Sequence, residues 1–167
     1  MLGKYSVEKG VPTAYTDGKN VVYGEDFVCK ISEAQLRGVV LHENFHKMYR
    51  HLSVWRKLFE IDPHRANMAC DHVINLQILD AGEQLPQWVC RDERFRGMNA
   101  KQVFDLLGEQ KTQRQGEPLD EHDWEKAKEM SPSEAKKLEQ EIDRALREGA
   151  IMAKRNGSGS RDLQDLL

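Results

Sequence analysis

Cysteine is scarce in this sequence, and long apolar runs are absent from it. The three cysteines, Cys29, Cys70 and Cys90, form no Cys-x-x-Cys pair and no recognisable disulfide framework. We expect all three to be reduced, buried thiols in a cytoplasmic protein. No stretch approaches the roughly 20 apolar residues that a membrane-spanning helix needs, and the N-terminus lacks a signal-peptide pattern. The sequence therefore predicts a soluble protein without a membrane partner.

An excess of positive charge is also missing. The chain has 25 Lys and Arg residues against 28 Asp and Glu residues, which gives a net charge of −3. Because nucleic-acid binding depends on basic side chains that neutralise phosphates, we expect no nucleic-acid partner. The length of 167 residues suits one domain with a sizeable core. We assign residues 1–155 to that domain, and residues 156–167 to a flexible linker and the start of a further helical segment.

The most informative stretch contains the motif His-Glu-x-x-His at positions 42–46. On a helix, residues four apart lie on one face, so His42 and His46 can direct their imidazoles at one point. Two imidazoles and one further ligand form an open zinc site, in which the fourth position is left for water. Glu43 would then lie beside that water, where a general base is needed. Because so short a motif can occur by chance, its structural context decides whether it is functional.

The residues around the motif predict a helix from Ser32 to about His51. Ser32 is a good N-cap, and Gln35 three residues later completes a capping box. Gly38 lies one turn before His42, inside this helix, where glycine costs about 1 kcal/mol relative to alanine. We therefore expect another part of the chain to approach the backbone closely at Gly38.

A short antiparallel hairpin or meander is predicted upstream of this helix, over residues 13–31. Two β-forming segments flank Asp17-Gly18, and Asp-Gly between such segments is a strong hairpin signal. Residues 1–12 are interpreted as a frayed lead-in. Downstream, Asp62 as N-cap and Pro63 at the first helical position predict a second long helix, which ends near Gly82. Further helices are predicted over residues 100–107, 119–130 and 133–155.

The third metal ligand is expected from a following helix. A site of the type His-Glu-x-x-His-x-x-Gly-x-x-His is excluded, because Tyr49 and Leu52 stand where Gly and His are required. His51 is no substitute, since a residue five positions after His46 points about 140° away on a continuous helix. The candidates that remain after His46 are Glu60, Asp62, His64, Asp71, His72 and Glu83.

Asp71 is the favoured candidate among these residues. It forms a polar stripe with Asn67 and Asn75 on the second helix, between apolar neighbours. A carboxylate in such surroundings is costly unless it is paired, hydrogen-bonded or bound to metal. Asn75, one turn further on, is placed to orient a metal ligand. His72 points about 100° away from Asp71, so the two cannot bind the same metal. The simpler alternative is a hydrogen-bonded contact between two helices.

These segments together carry a resemblance to a known family. The strand signals at 16–18 and 22–23, the run 36–46 with His51, and the run Ala69-Cys70-Asp71-His72-Val73-Ile74-Asn75 resemble the putative metallopeptidase domain family. Members of this family are often encoded beside MoxR-type AAA+ ATPases and von Willebrand A domain proteins, and similar proteins occur in phages. The segment Leu119-Asp120-Glu121-His122-Asp123-Trp124 resembles a later motif of the same family.

The resemblance implies an α+β, zincin-like fold. In that fold a small antiparallel sheet is followed by the active-site helix, a second ligand-bearing helix and C-terminal helices. His42, His46 and Asp71 would bind one zinc ion, Glu43 would be the general base, and His122 would stabilise the oxyanion. The resemblance also implies a protein or peptide substrate, a possible AAA+ ATPase or von Willebrand A domain partner, and the host cytoplasm as location if a phage encodes the chain.

Two other classes of function remain open at this stage. In a non-catalytic, zinc-stabilised interaction module, the metal would supply folding energy, and a fourth protein ligand such as His72 or His122 would close the site. In an adaptor, the charged helix at 133–155 would bind a partner. The number of protein ligands around the metal distinguishes the first alternative from a peptidase.

Overall fold

The structure is a computed structural model, and it describes residues 3–109, 118 and 131–155. Three short strands precede a series of helices, so the predicted α+β class is confirmed. The strands are β1 (Tyr5–Glu8), β2 (Ala14–Thr16) and β3 (Val21–Gly24), and the helices are α1 (Glu25–Lys30), α2 (Glu33–Met48), α3 (His51–Val54), α4 (Arg56–Ile61), α5 (Pro63–Asp80), α6 (Ala100–Glu109) and α7 (Pro132–Arg155). The helix predicted at 119–130, with His122, and the linker at 156–167 lie outside the described residues.

The sheet contains the predicted hairpin and one strand that was not predicted. Strands β2 and β3 pair antiparallel, with Ala14 opposite Tyr23, and the Asp17 carboxylate accepts hydrogen bonds from the backbone N–H groups of Lys19 and Asn20 at 2.9 and 2.7 Å. However, β1 pairs parallel with β3, and the strand order is β1-β3-β2. The expectations of a purely antiparallel sheet and of a frayed segment at 1–12 were therefore wrong. Parallel pairing leaves no hairpin signal in the sequence, because the partner strand is distant in the chain.

The expected continuation of the meander beyond β3 was also wrong. Residues Glu25–Lys30 form the helix α1, in which Phe27 is buried and Cys29 is exposed. Cys70 and Cys90 are buried, and all three cysteines are free thiols, so the expectation of burial fails for Cys29 alone. Among the described residues, no helix is long and apolar enough to cross a membrane.

Helix α2 begins as predicted and ends earlier than predicted. The Ser32 hydroxyl accepts a hydrogen bond from the Gln35 N–H at 3.2 Å, and the Gln35 side chain accepts one from the Ser32 N–H at 3.0 Å, which completes the capping box. The helix stops at Met48, because Arg50 adopts a left-handed conformation with φ of 52°. The chain then starts the short helix α3 at His51 in a new direction.

Helix α5 lies between two groups of buried apolar side chains. Its N-cap Asp62 accepts a hydrogen bond from the Arg65 N–H at 3.0 Å, and Pro63 occupies the first turn, as predicted. On one side, Ile74 and Ile78 pack with the sheet and α2. On the other side, Ala66, Ala69, Cys70 and Leu76 pack with α4 and α6. Because α5 contacts both groups, the register of its polar side chains is fixed relative to α2.

The close approach expected at Gly38 is present. A Cβ atom at position 38 would lie 2.0 Å from the carbonyl oxygen of Gln84 and 3.1 Å from the Leu85 side chain. The approaching segment belongs to the loop that follows α5. This contact holds the loop against α2 one turn before His42.

Replacement of Gly38 by alanine should therefore destabilise the fold. Alanine favours a helix by about 1 kcal/mol, but the displaced loop should cost about 1–3 kcal/mol through overpacking. Urea unfolding followed by circular dichroism measures the difference.

Gly149→Ala is the matched control, because a Cβ atom at this position on α7 meets nothing within 4 Å. It should leave stability unchanged or raise it by up to about 1 kcal/mol. An equal gain in stability for Gly38→Ala would show that the loop does not restrict this position.

Candidate metal centre

Helices α2 and α5 bring three potential metal ligands together. The Nε2 atoms of His42 and His46 lie 3.0 Å apart. The Asp71 Oδ1 atom lies 3.7 Å from the His42 Nε2 atom and 3.3 Å from the His46 Nε2 atom. Relative exposure of the three side chains is at most 1%. Two residues four apart on one helix and one residue on the facing helix thus form a buried His-His-Asp group that could hold a metal ion.

The spacing of these three atoms matches what a tetrahedral ion requires. Zinc binds imidazole nitrogen and carboxylate oxygen at about 2.0–2.2 Å, which places neighbouring ligand atoms of a tetrahedron about 3.4 Å apart. The observed separations of 3.0, 3.3 and 3.7 Å bracket this value. The residues present therefore fit a single metal ion without rearrangement of the two helices.

The orientation of the His42 ring is set by Asn75. The Asn75 Nδ2 group donates a hydrogen bond to the Cys90 carbonyl at 2.9 Å, which turns the Asn75 Oδ1 atom toward His42. This oxygen is an acceptor and lies 2.8 Å from the His42 Nδ1 atom. The His42 Nδ1 atom must therefore carry the proton and donate it to the hydrogen bond. In the neutral ring, the Nε2 lone pair then points into the His-His-Asp group, as a metal ligand requires.

His51 contacts the other imidazole. Its Nδ1 atom lies 3.1 Å from the His46 Nδ1 atom, and the two rings meet edge to face with centroids 4.9 Å apart. A hydrogen bond donated by the His46 Nδ1–H group to His51 leaves the His46 Nε2 lone pair available for a metal. This contact could not be predicted from helical periodicity, because a continuous α2 would direct His51 away from His46. The left-handed Arg50 interrupts the helix and returns the His51 ring to His46.

The hydrogen bonds around the group explain why it suits a cation. With the proton of His42 on Nδ1, its Nε2 lone pair faces the His46 Nε2 atom and the Asp71 carboxylate in the protein interior. Electron-rich atoms this close repel one another unless a proton or a metal ion lies between them. A bound divalent ion would remove this repulsion for all three groups at once.

Glu43 follows His42 directly on α2 and is completely buried. Its charge acts on Tyr5, Tyr23 and Lys47. Burial raises the pKa of the Tyr23 phenol, and the charge of Glu43 raises it further. Burial lowers the pKa of the Lys47 ammonium to about 8, although the charge of Glu43 opposes this shift. The charge of Glu43 therefore influences two phenols and a cation.

Lys47 is held in place by Tyr5. The Lys47 Nζ atom donates a hydrogen bond to the Tyr5 hydroxyl at 3.2 Å and lies 4.3 Å from the centre of its ring. The Tyr5 hydroxyl donates in turn to the Asn44 Oδ1 atom at 2.6 Å. Strand β1 thus fixes the cation that lies one turn after Glu43.

The structure places the other sequence candidates away from the His-His-Asp group. His72 is buried, accepts a hydrogen bond at Nδ1 from the Asp92 N–H at 3.1 Å, and packs against Phe95. Burial lowers the pKa of His72 to about 4, so its ring is neutral at pH 7. Of the remaining candidates, Asp62 caps α5, Glu60 pairs with Arg56, Glu83 pairs with Arg37, and His64 is exposed. His122 is outside the described residues, so its role stays a prediction.

Comparison with known proteins agrees with this geometry. Residues 2–162 match a family described as "Putative metallopeptidase domain". No curated protein and no solved structure matches the chain. The match spans nearly the whole sequence, including both helices that carry the His-His-Asp group. The chain belongs to the putative metallopeptidase domain family.

Proposed function

We propose that the protein is a zinc-dependent metallopeptidase that hydrolyses peptide bonds, with His42, His46 and Asp71 as ligands of one zinc ion. The observation that carries this proposal is the convergence of the two Nε2 atoms and one carboxylate oxygen within 3.7 Å of one another. Membership of the family supports a peptidase rather than another hydrolase.

The donor set favours zinc over the common alkaline-earth ions. Magnesium and calcium prefer six or more oxygen ligands, whereas two imidazoles and a carboxylate suit zinc. Three protein ligands also leave one tetrahedral position for water, which is the pattern of catalytic sites. Among the described residues, the His-His-Asp group contains no fourth protein ligand.

Glu43 is the proposed general base. A bound zinc ion would supply the Lewis acidity that activates the attacking water and polarises the scissile carbonyl. A Glu43 carboxylate oxygen would accept the proton of that water and then donate it to the amine nitrogen of the leaving group. Asn75 and His51 would hold the imidazoles of His42 and His46 during this proton transfer. His122 is the proposed group that donates a hydrogen bond to the oxyanion, on the basis of the family resemblance.

One observation favours a second candidate, a zinc-stabilised module without catalysis. The three ligand side chains and Glu43 are buried, whereas a catalytic site must admit a substrate. In such a module, zinc would serve to connect α2 and α5. Substitution of Glu43 distinguishes the two functions, because this residue is proposed to act as the general base and not as a zinc ligand.

Glu43→Gln should abolish cleavage of a denatured casein substrate while the zinc content remains unchanged. Loss of a general base should lower kcat by about 100-fold or more. Glu33→Gln, at an exposed position of the same helix, is the control and should retain activity. If zinc-loaded wild-type protein cleaves no peptide in a diverse library, the non-catalytic module becomes the correct description.

Asp71→Asn should weaken zinc binding by more than the 10- to 100-fold loss that is typical when a residue hydrogen-bonded to a metal ligand is replaced. The amide keeps the shape of the side chain but loses the charge. Asp80→Asn, an exposed position near the end of α5, is the matched control and should leave zinc affinity unchanged. Competition with a chromophoric chelator measures both affinities. Equal affinities in the two variants would remove Asp71 from the ligand set.

A further inference from the structure

A cavity of about 220 Å³ adjoins His46, and Asp17 and Gly18 of the β2–β3 turn also line it. Helices α3 and α4 form one part of its wall, through Leu52 and Phe59. Helix α7 forms the facing part, through Ala135, Leu138 and Ile142. The wall thus contains five apolar side chains from elements far apart in sequence.

Of the five Asp, Glu, Lys and Arg residues around this cavity, four have partners, and the fifth, Glu139, is exposed on α7. Arg50 forms an ion pair with Asp143, and Arg56 pairs with Glu60 at 3.1 Å. The Asp17 carboxylate accepts hydrogen bonds from the backbone of its own turn, and the Lys47 ammonium donates to Tyr5. A ligand in the cavity would therefore meet mainly apolar surface, because these charged groups are engaged elsewhere.

The size of the cavity limits what it can hold. Sites for whole small molecules measure about 300–1,000 Å³. The cavity beside His46 is smaller, and it suits one side chain of a longer ligand rather than a complete cofactor. Binding of an aliphatic or aromatic side chain in this cavity would be favourable, because the side chain leaves water for apolar surroundings.

Helix α7 is attached to the body of the protein at this cavity. Ile142 is 3% exposed, which makes it the most buried apolar residue among the described side chains of α7. Leu138, one turn earlier, is half-buried and lines the cavity. The ion pair between Arg50 and Asp143 fixes the helix beside these two residues. The position of α7 therefore sets the width of the cavity.

We propose that this cavity is the subsite for an apolar side chain of a peptide substrate, and that Leu138 of α7 is a specificity-determining residue. The proposal rests on the proposed peptidase function, since it is His46 of the candidate metal centre that connects the cavity with the reaction. The expected substrates are peptides with a large aliphatic or aromatic residue close to the cleaved bond.

A binding experiment tests the subsite without relying on cleavage. Fluorescein-labelled Gly/Ser decapeptides with one central Leu, Phe, Ala or Asp are titrated onto the zinc-loaded Glu43→Gln variant, and anisotropy gives the Kd. The Leu and Phe peptides should bind at least about 10-fold more tightly than the Ala and Asp peptides, since an apolar pocket discriminates by such factors. Equal affinities for the four peptides would overturn the proposal.

Variants of α7 show whether the preference arises in this cavity. Leu138→Trp, introduced into the Glu43→Gln protein, should fill the cavity and reduce the preference for Leu and Phe to less than about 3-fold. Ala135→Leu narrows the same cavity, and leucine is a good helix former. This variant replaces Leu138→Trp in the test if the tryptophan variant does not fold. Lys136→Trp is the matched control, because Lys136 is exposed on α7 and does not line the cavity. An unchanged preference in folded Leu138→Trp or Ala135→Leu would also overturn the proposal.

Wild-type protein separates failure of the subsite from failure of the proposed function. If the Glu43→Gln protein selects apolar peptides but the wild type cleaves none of them, the subsite stands and the peptidase function fails. If the wild type cleaves the four peptides equally well, and Leu138→Trp does so too, the function stands and the subsite is wrong.

Discussion

The contact between α2 and α5 is the constraint on which the site depends. It places a carboxylate from one helix against two imidazoles from the other, in a part of the protein that excludes water. Such an arrangement is unfavourable without a proton or a cation to separate the electron-rich atoms. Metal binding and the packing of these helices should therefore be coupled, because a metal ion that binds only the folded protein contributes its binding energy to folding.

Two further side chains orient the imidazoles of the candidate metal centre. Asn75 connects His42 with the Cys90 carbonyl, and His51 lies against the far nitrogen of His46. Cys90 belongs to the loop after α5, and that loop also passes over Gly38. The same loop thus covers α2 and, through its backbone, fixes the ring of the first histidine. This double role links the stability of the loop to the geometry of the metal centre.

Local signals in the sequence predicted much of this arrangement. The features that depend on contacts between distant segments could not be predicted. The capping box at Ser32, the Asp62-Pro63 start of α5 and the Asp17-Gly18 turn each act over a few residues, so they could be identified without the fold. The stripe of Asp71 and Asn75 also follows from helical periodicity. By contrast, the parallel pairing of β1, the contact of His51 with His46 and the cavity wall on α7 depend on the tertiary arrangement. The left-handed Arg50 lacks a sequence signal, because glycine or asparagine is the usual residue there.

In the proposed centre, one zinc ion binds to His42, His46 and Asp71, and one position is left for water. Metal analysis combined with anomalous scattering at the zinc edge tests it most directly. We expect one zinc per chain, within about 2.0–2.2 Å of both Nε2 atoms and of an Asp71 oxygen, and no fourth protein ligand. A zinc ion bound elsewhere, or one whose fourth ligand is a protein side chain such as His72 or His122, would contradict it.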